Sequence, residues 1–241
     1  MARKRINIVD TWRGLAIICM VIYHLLYDIE FIFSRDLEFF SIPSWYGFQQ
    51  FTSWSFIFLA GFSHKYSRKP SRNAIKILIT ALILTLVTRL ANPSAYIRFG
   101  VLHLIGSAMA LVLILELFIY TKKKFQLTYG LLSFVVFFII WNFGLEVLPF
   151  YESLAAKEIF YPLGFIGPGF VSIDYFGLLP WFFLYLSGFF IGSYHKYRNP
   201  FLEKIDLKEN ILGKIGRHSF FIYLAHQPVL LGLLSLIFKF L

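Results

Sequence analysis

The chain has 241 residues, of which 58% are hydrophobic, 20% aromatic and only 15% charged, and its mean hydropathy is +0.68. A water-soluble core cannot absorb so much apolar surface, which excludes a soluble globular domain and predicts an integral membrane protein. The formal net charge of +10 would suit a nucleic-acid binder, but the basic residues stand in short clusters between apolar runs and read as membrane topology.

Windows of about 20 apolar residues predict seven spanning helices, at 11–32, 46–64, 74–91, 99–120, 127–148, 175–194 and 220–241. The first carries or adjoins four ionisable residues, Asp10, Arg13, His24 and Asp28. At 3.6 residues per turn their side chains lie within roughly 60° of one another and form one polar stripe. Such groups cost about 2.5–3.5 kcal/mol each in hydrocarbon even on lenient scales, so they are kept for pairing or function. Asp10 and Arg13 lie in this apolar run and no small-residue cleavage site follows it, so the helix is expected to stay with the chain. The only cysteine, Cys19, excludes an intramolecular disulfide and reads as a small packing residue.

The second helix follows Pro43 and runs into the basic turn 67–72; the third ends at Asn92-Pro93-Ser94. Arg89, Arg98, His103 and, further on, Asp174 fall toward the outer side, where they could line a vestibule for a polar substrate or merely snorkel. Glu116 and Asn142 lack an evident partner, and Glu116 is near enough to the inner face to snorkel. Lys122, Lys123 and Lys124 make the next basic turn. The aromatic segment 146–174, with Gly164, Gly167, Pro168 and Gly169, is too apolar for a free loop and is expected to fold over the outer mouth as an interfacial or re-entrant piece. Gly188 and Gly192 form a small-xxx-small packing pair, and the loop 199–217 predicts a short amphipathic helix at the membrane surface. In the last helix Pro228 breaks the hydrogen-bond ladder beside His226 and Gln227, which could satisfy the freed backbone or join a site. His64, His195 and His218 stand at cytoplasmic helix ends and read as interfacial. No internal repeat or low-complexity tract stands out.

With the N-terminus inside, sixteen Lys and Arg fall in cytoplasmic segments against five outside, Arg35, Arg89, Arg98, Lys157 and Lys239. That asymmetry places the N-terminus in the cytoplasm and the C-terminus outside.

His24 lies about 16 Å along the helix from Arg13, too deep to reach either interface easily. A lone histidine there would read as hydrogen-bonded packing, but Asp28 at i+4 can orient one ring nitrogen and leave the other as a base. Asp10 and Arg13, one turn apart, read either as a salt bridge fixing the helix start or as a guanidinium fork for an anionic donor. A metal could use His24 and Asp28 only with ligands from other helices, and no nucleotide-loop or hydrolase motif occurs.

Arg13, ten residues and then His24, preceded by Asp10 and followed at Arg13 by Gly14-Leu15-Ala16, resembles the signature of the acyltransferase-three family of membrane acyltransferases. The stretch 5–28, with 99–106 and 217–228, is similar to bacterial membrane proteins related to the heparan-alpha-glucosaminide N-acetyltransferase catalytic domain. The resemblance implies transfer of an acyl group, commonly acetyl, from cytoplasmic acyl-CoA to a glycan, lipid-linked or other hydroxyl or amine acceptor on the outer side. It gives Arg13 and His24 the places of the family's essential arginine and histidine. The lysosomal enzymes carry asparagine where His24 stands and a reactive histidine in the following loop, whereas residues 33–45 here hold none. Direct attack by an acceptor that His24 deprotonates is therefore the expected route.

The expectation is an all-α, polytopic transmembrane helix bundle, one domain over 1–241, multi-pass in the bacterial cytoplasmic membrane. Arg13, His24 and Asp28 are its catalytic candidates, and Asp10, Arg89, Arg98, His103, Asp174, His226 and Gln227 its substrate-binding ones. Acyl-CoA is a co-substrate, with no bound cofactor or metal and no nucleic-acid partner. Two alternatives use the same stripe: a proton-coupled transporter or flippase, in which it relays protons, and a membrane scaffold, in which it fixes helix contacts.

Overall fold

A computed structural model describes residues 6–35, 37, 39–118, 123–205 and 208–239, with the side chains of Ser41, Pro43 and Lys123 left aside. The predicted basic residues Arg3, Lys4, Arg5 and Lys122, and the predicted helix ends at Tyr120 and Leu241, lie outside the described residues. Among the described residues helix accounts for 77% and no strand occurs, so the fold class is all-α.

Nine α-helices are found among the described residues: α1 (Asn7–Tyr27), α2 (Pro43–His64), α3 (Pro70–Ala91), α4 (Val101–Phe118), α5 (Gln126–Phe143), α6 (Tyr151–Ala155), α7 (Leu178–Tyr197), α8 (Ile211–Arg217) and α9 (Ser219–Lys239). The seven of 18 residues or more coincide with the seven predicted segments. Their ends follow local chemistry. Pro70 opens α3 in the first turn, where its missing N–H costs nothing. α5 ends at Phe143, five residues before the predicted end, because the chain turns at Gly144, whose φ of 73° suits glycine. α1 passes directly into a π turn, Asp28–Ile32, closed by the Phe33 N–H donating to the Asp28 carbonyl.

Five helices are long and apolar enough to cross a bilayer: α1 with its π turn, α3, α4, α5 and α9. α2 and α7 match them in length but not in apolarity. Gln49, Gln50, Thr52, Ser53 and Ser55 dilute α2, and Tyr185, Ser187, Ser193, Tyr194 and His195 dilute α7.

The chain packs as two compact units, one of residues Met1–Phe56 with Phe201–Leu241 and the other of Ile57–Pro200. In the first, α8 lies across the start of α1 in backbone contact. A Cβ on Gly14 would overlap the Leu212 carbonyl, and one on Gly216 the Asp10 carbonyl. Asn210 caps α8 by accepting from the Gly213 N–H (2.8 Å) and donates to Thr11 Oγ1 (3.0 Å), which ties the loop predicted as amphipathic to α1. The Trp12 indole donates to Ser55 Oγ at 3.0 Å, and α9 runs beside the end of α1.

In the second unit α7 is the central helix. Gly188 and Gly192 let it approach the Phe58 and Phe62 carbonyls of α2, and Gly61 of α2 meets the Tyr185 carbonyl in return. On α5, Gly130 receives Ile191. The segment after α5 folds back on itself through α6 and a 3₁₀ turn, Glu158–Leu163. Tyr151 donates to the Ile166 carbonyl (3.1 Å) and Tyr175 to the Tyr161 carbonyl (2.6 Å). This segment is an ordered cap, tied to the start of α4 by the Phe176 N–H donating to the Phe99 carbonyl (2.8 Å).

The glycine contacts give a direct prediction. Gly188→Val drives side-chain carbon into the Phe58 backbone and is expected to destabilise the protein by about 1–3 kcal/mol or more. Gly232→Ala, which meets open space, should leave thermal unfolding in detergent unchanged or shifted slightly upward. Equal melting temperatures for Gly188→Val and wild type would refute the close α2–α7 approach.

Candidate functional site

The polar stripe of α1 meets α9 at its far end. The rings of His24 and His226 lie 4.8 Å apart between centroids at 53°. The His226 Nδ1 sits 2.6 Å from the Tyr223 carbonyl oxygen. A carbonyl only accepts, so Nδ1 carries the proton and the Nε2 of the neutral ring keeps its lone pair. Tyr23 stands edge-on to His24 at 5.6 Å, which limits the ring's rotation.

Asp28 is fully buried, and its partner is not the residue that helix spacing suggests. The Gln227 amide donates to both carboxylate oxygens, at 2.8 and 3.0 Å, and no hydrogen bond joins Asp28 to His24 among the described residues. The expected His24–Asp28 pair is thus replaced by a cross-helix pair, because α9 brings an amide donor to a carboxylate that has no water within reach. Gln227 Oε1 is left buried without a donor. His24, His226, Asp28 and Gln227 therefore form one group, with the π turn beginning at Asp28. Pro228 sits within α9, and the backbone acceptor used nearby is the Tyr223 carbonyl, satisfied by His226.

At the other end of the stripe Arg13 donates to Asp10 Oδ1 at 2.9 Å. Both side chains are partly exposed, beside the close α1–α8 crossing.

The other substrate candidates lie in the second unit and have structural partners there. The Gly100 N–H donates to His103 Nδ1 (3.3 Å), so the neutral ring carries its proton on Nε2 and donates to Thr85 Oγ1 (3.2 Å), joining α4 to α3. Asp174 accepts from the Val101 N–H at 3.2 Å and caps α4. The Arg98 guanidinium lies over Tyr96 and Phe170, and that of Arg89 over Tyr96.

Two readings need correction. His64 and His195 stand at helix ends but are buried in protein there, 3% and 0% exposed, enclosed by the close α2–α7 approach and bonded to Tyr185 (2.7 Å) and Tyr66 (2.6 Å). Glu116 has a partner, Lys65, in an ion pair. Asn142 donates to the Phe138 carbonyl one turn back (2.7 Å). Among the described residues no three His, Cys, Asp or Glu side chains are grouped to hold a metal.

Compared with known proteins, the chain matches the family model for the heparan-alpha-glucosaminide N-acetyltransferase catalytic domain over residues 5–228. No curated protein and no solved structure matches it. The matched span opens just before α1 and closes at Pro228, so it contains the whole His24–His226–Asp28–Gln227 group. With nearly its full length covered, the chain belongs to the heparan-alpha-glucosaminide N-acetyltransferase catalytic family, an acyltransferase family of helical membrane proteins.

Proposed function

We propose that this protein is a multi-pass acyltransferase of the bacterial cytoplasmic membrane, a single functional domain over 1–241 with seven spans, its N-terminus inside and its C-terminus outside. It moves an acyl group, acetyl by its family's chemistry, from cytoplasmic acyl-CoA to an extracytoplasmic hydroxyl or amine on a glycan or lipid-linked acceptor. The observation that supports this reading best is the histidine pair His24–His226 standing on a buried carboxylate–amide pair inside helices apolar enough for a bilayer.

In the reaction His24 takes the proton of the acceptor as its oxygen or nitrogen attacks the thioester carbonyl. The tetrahedral intermediate collapses with cleavage of the carbon–sulfur bond, and the proton passes from His24 to the leaving thiolate, releasing coenzyme A. His226, held by Tyr223, orients the His24 ring. Asp28 and Gln227 fix α1 against α9 so that the two rings stay in register. Arg13, oriented by Asp10, meets the anionic donor, for which a guanidinium fork is suited. In the second unit, Arg89, Arg98, His103 and Asp174 are proposed as substrate-binding residues in addition to their structural bonds.

Purified protein is expected to bind acetyl-CoA saturably and to release coenzyme A when an acceptor is added, read by a thiol reagent. Absence of acetyl-CoA binding by folded wild-type protein would sink the acyltransferase reading and favour proton-coupled transport, to be measured as flux in liposomes.

A further inference from the structure

A second polar centre lies in the second unit, and the sequence marks it twice. α2 ends in Gly61-Phe62-Ser63-His64-Lys65-Tyr66 and α7 in Gly192-Ser193-Tyr194-His195-Lys196-Tyr197, the same Gly-x-x-His-Lys-Tyr order, although the chain shows no longer repeat. The two helices run in the same direction, since Phe58 meets Gly188, Phe62 meets Gly192 and Tyr66 meets His195. Both copies therefore finish at one place.

The side chains there interlock. His64 pairs with Tyr185 of α7, and His195 with Tyr66 beyond α2. The Lys196 ammonium donates to the Lys65 carbonyl (2.6 Å) and lies over the rings of Tyr66 and Tyr197. The Lys65 ammonium lies over Phe189 and pairs with Glu116. The two ammonium groups thus meet at one place, Lys65 on Glu116 and Lys196 on a backbone carbonyl, and Arg68, Lys69 and Arg198 follow directly in sequence. Burial and the neighbouring Lys196 both lower the Lys65 pKa, the mark of a site crowded with positive charge.

His64 adds a donor that lacks an acceptor. Tyr185 is fully buried, and the acceptor for its hydroxyl is His64 Nδ1. The His64 proton then sits on Nε2, which is buried with no hydrogen-bond partner. Clustered cations and an orphan N–H call for the same thing, an anionic group rich in acceptor oxygens.

We infer that the paired His-Lys-Tyr ends of α2 and α7 bind a phosphate group, supplied by the nucleotide end of coenzyme A or by the headgroup of an anionic phospholipid. Lys65 and Lys196 supply the charge, and His64 Nε2 donates once the ligand draws the two ends around it. The site requires neither His24 nor acyl transfer, so its failure would leave the proposed chemistry untouched.

The test uses the full chain in phosphatidylcholine nanodiscs, wild type beside Lys65→Gln/Lys196→Gln, with Lys157→Gln/Lys239→Gln as a control of equal charge. Calorimetric titration with adenosine 3′,5′-bisphosphate is expected to show binding that the first double variant weakens by about tenfold or more and the control does not. In a second arm, phosphatidylglycerol replaces part of the lipid, and thermal stabilisation by that lipid is compared. Loss of nucleotide binding in the Lys65→Gln/Lys196→Gln variant assigns the phosphate to coenzyme A, and loss of only the lipid effect assigns it to a headgroup. If neither response depends on these lysines, the inference is overturned. Lys196→Gln alone, at an exposed side chain, carries the same expectation if the double variant does not fold.

Discussion

His24→Ala is expected to lower coenzyme A release from acetyl-CoA by about 10²–10⁴-fold, the usual contribution of a general base, while the protein still folds. The ring is only partly buried and packs against the rings of Tyr23 and His226, so its removal costs packing but orphans no buried hydrogen bond. Turnover and stability should therefore separate. His226→Ala provides the contrast: it removes the Nδ1 contact to the Tyr223 carbonyl and unseats His24 without removing the base, so a smaller loss of turnover is expected. The checks are thiol release under saturating donor, near-ultraviolet circular dichroism and thermal unfolding for each variant. A His24→Ala protein with wild-type turnover would remove His24 from the mechanism.

The long helices were legible because a spanning segment announces itself in about 20 consecutive residues, and all seven predicted segments coincide with helices. Their membrane character was less legible. α2 and α7 reach helical length on aromatic and hydroxyl-bearing residues, which fill protein interiors as readily as lipid. Tyr185, Ser187 and Ser193 of α7 are all fully buried. The end of α5 was misread because residues 144–148 are apolar, whereas the chain turns at Gly144 through a backbone conformation that hydropathy does not record. The cap that follows depends on tyrosine-to-carbonyl bonds such as Tyr175 to Tyr161, which no local pattern displays.

The candidate site shows the same division. The polar stripe was readable because helical periodicity is a property of one segment. The partner of Asp28 was not, since Gln227 lies 199 residues away and the i,i+4 rule sees only the helix to which it is applied. The position of His64 and His195 at helix ends is legible, but their burial is not, since it comes from the glycine contacts that draw α2 and α7 together. A signal is present: Gly-x-x-His-Lys-Tyr occurs twice, but a repeat of six residues is far shorter than the roughly 20–50-residue periods that mark a repeat architecture.

Gln227→Leu is expected to destabilise the protein by about 2 kcal/mol, because one amide nitrogen supplies both hydrogen bonds to a carboxylate with no exposed surface. Breaking a buried charged contact from one side costs about 3–5 kcal/mol in soluble proteins. Polar pairs between membrane helices are worth less, on average about 0.6 and at most about 1.7 kcal/mol, since the unfolded chain in the bilayer also finds partners. The expected value lies between these limits because Asp28 is left without a donor, not merely with a poorer one. Asp28→Asn should be tolerated, as its side-chain oxygen can still accept from Gln227. Asp28→Leu/Gln227→Leu should recover most of the loss, because no polar group is then stranded between α1 and α9. Wild type, Asp28→Leu, Gln227→Leu and Asp28→Leu/Gln227→Leu make a double-mutant cycle, read by denaturation in mixed micelles, and a coupling energy near zero would show that the Asp28–Gln227 contact does not hold the two helices together. Activity adds a second reading. If the pair serves to keep His24 and His226 in register, the Asp28→Leu/Gln227→Leu protein should be stable yet slow, which separates the positioning of the histidines from the stability of the fold.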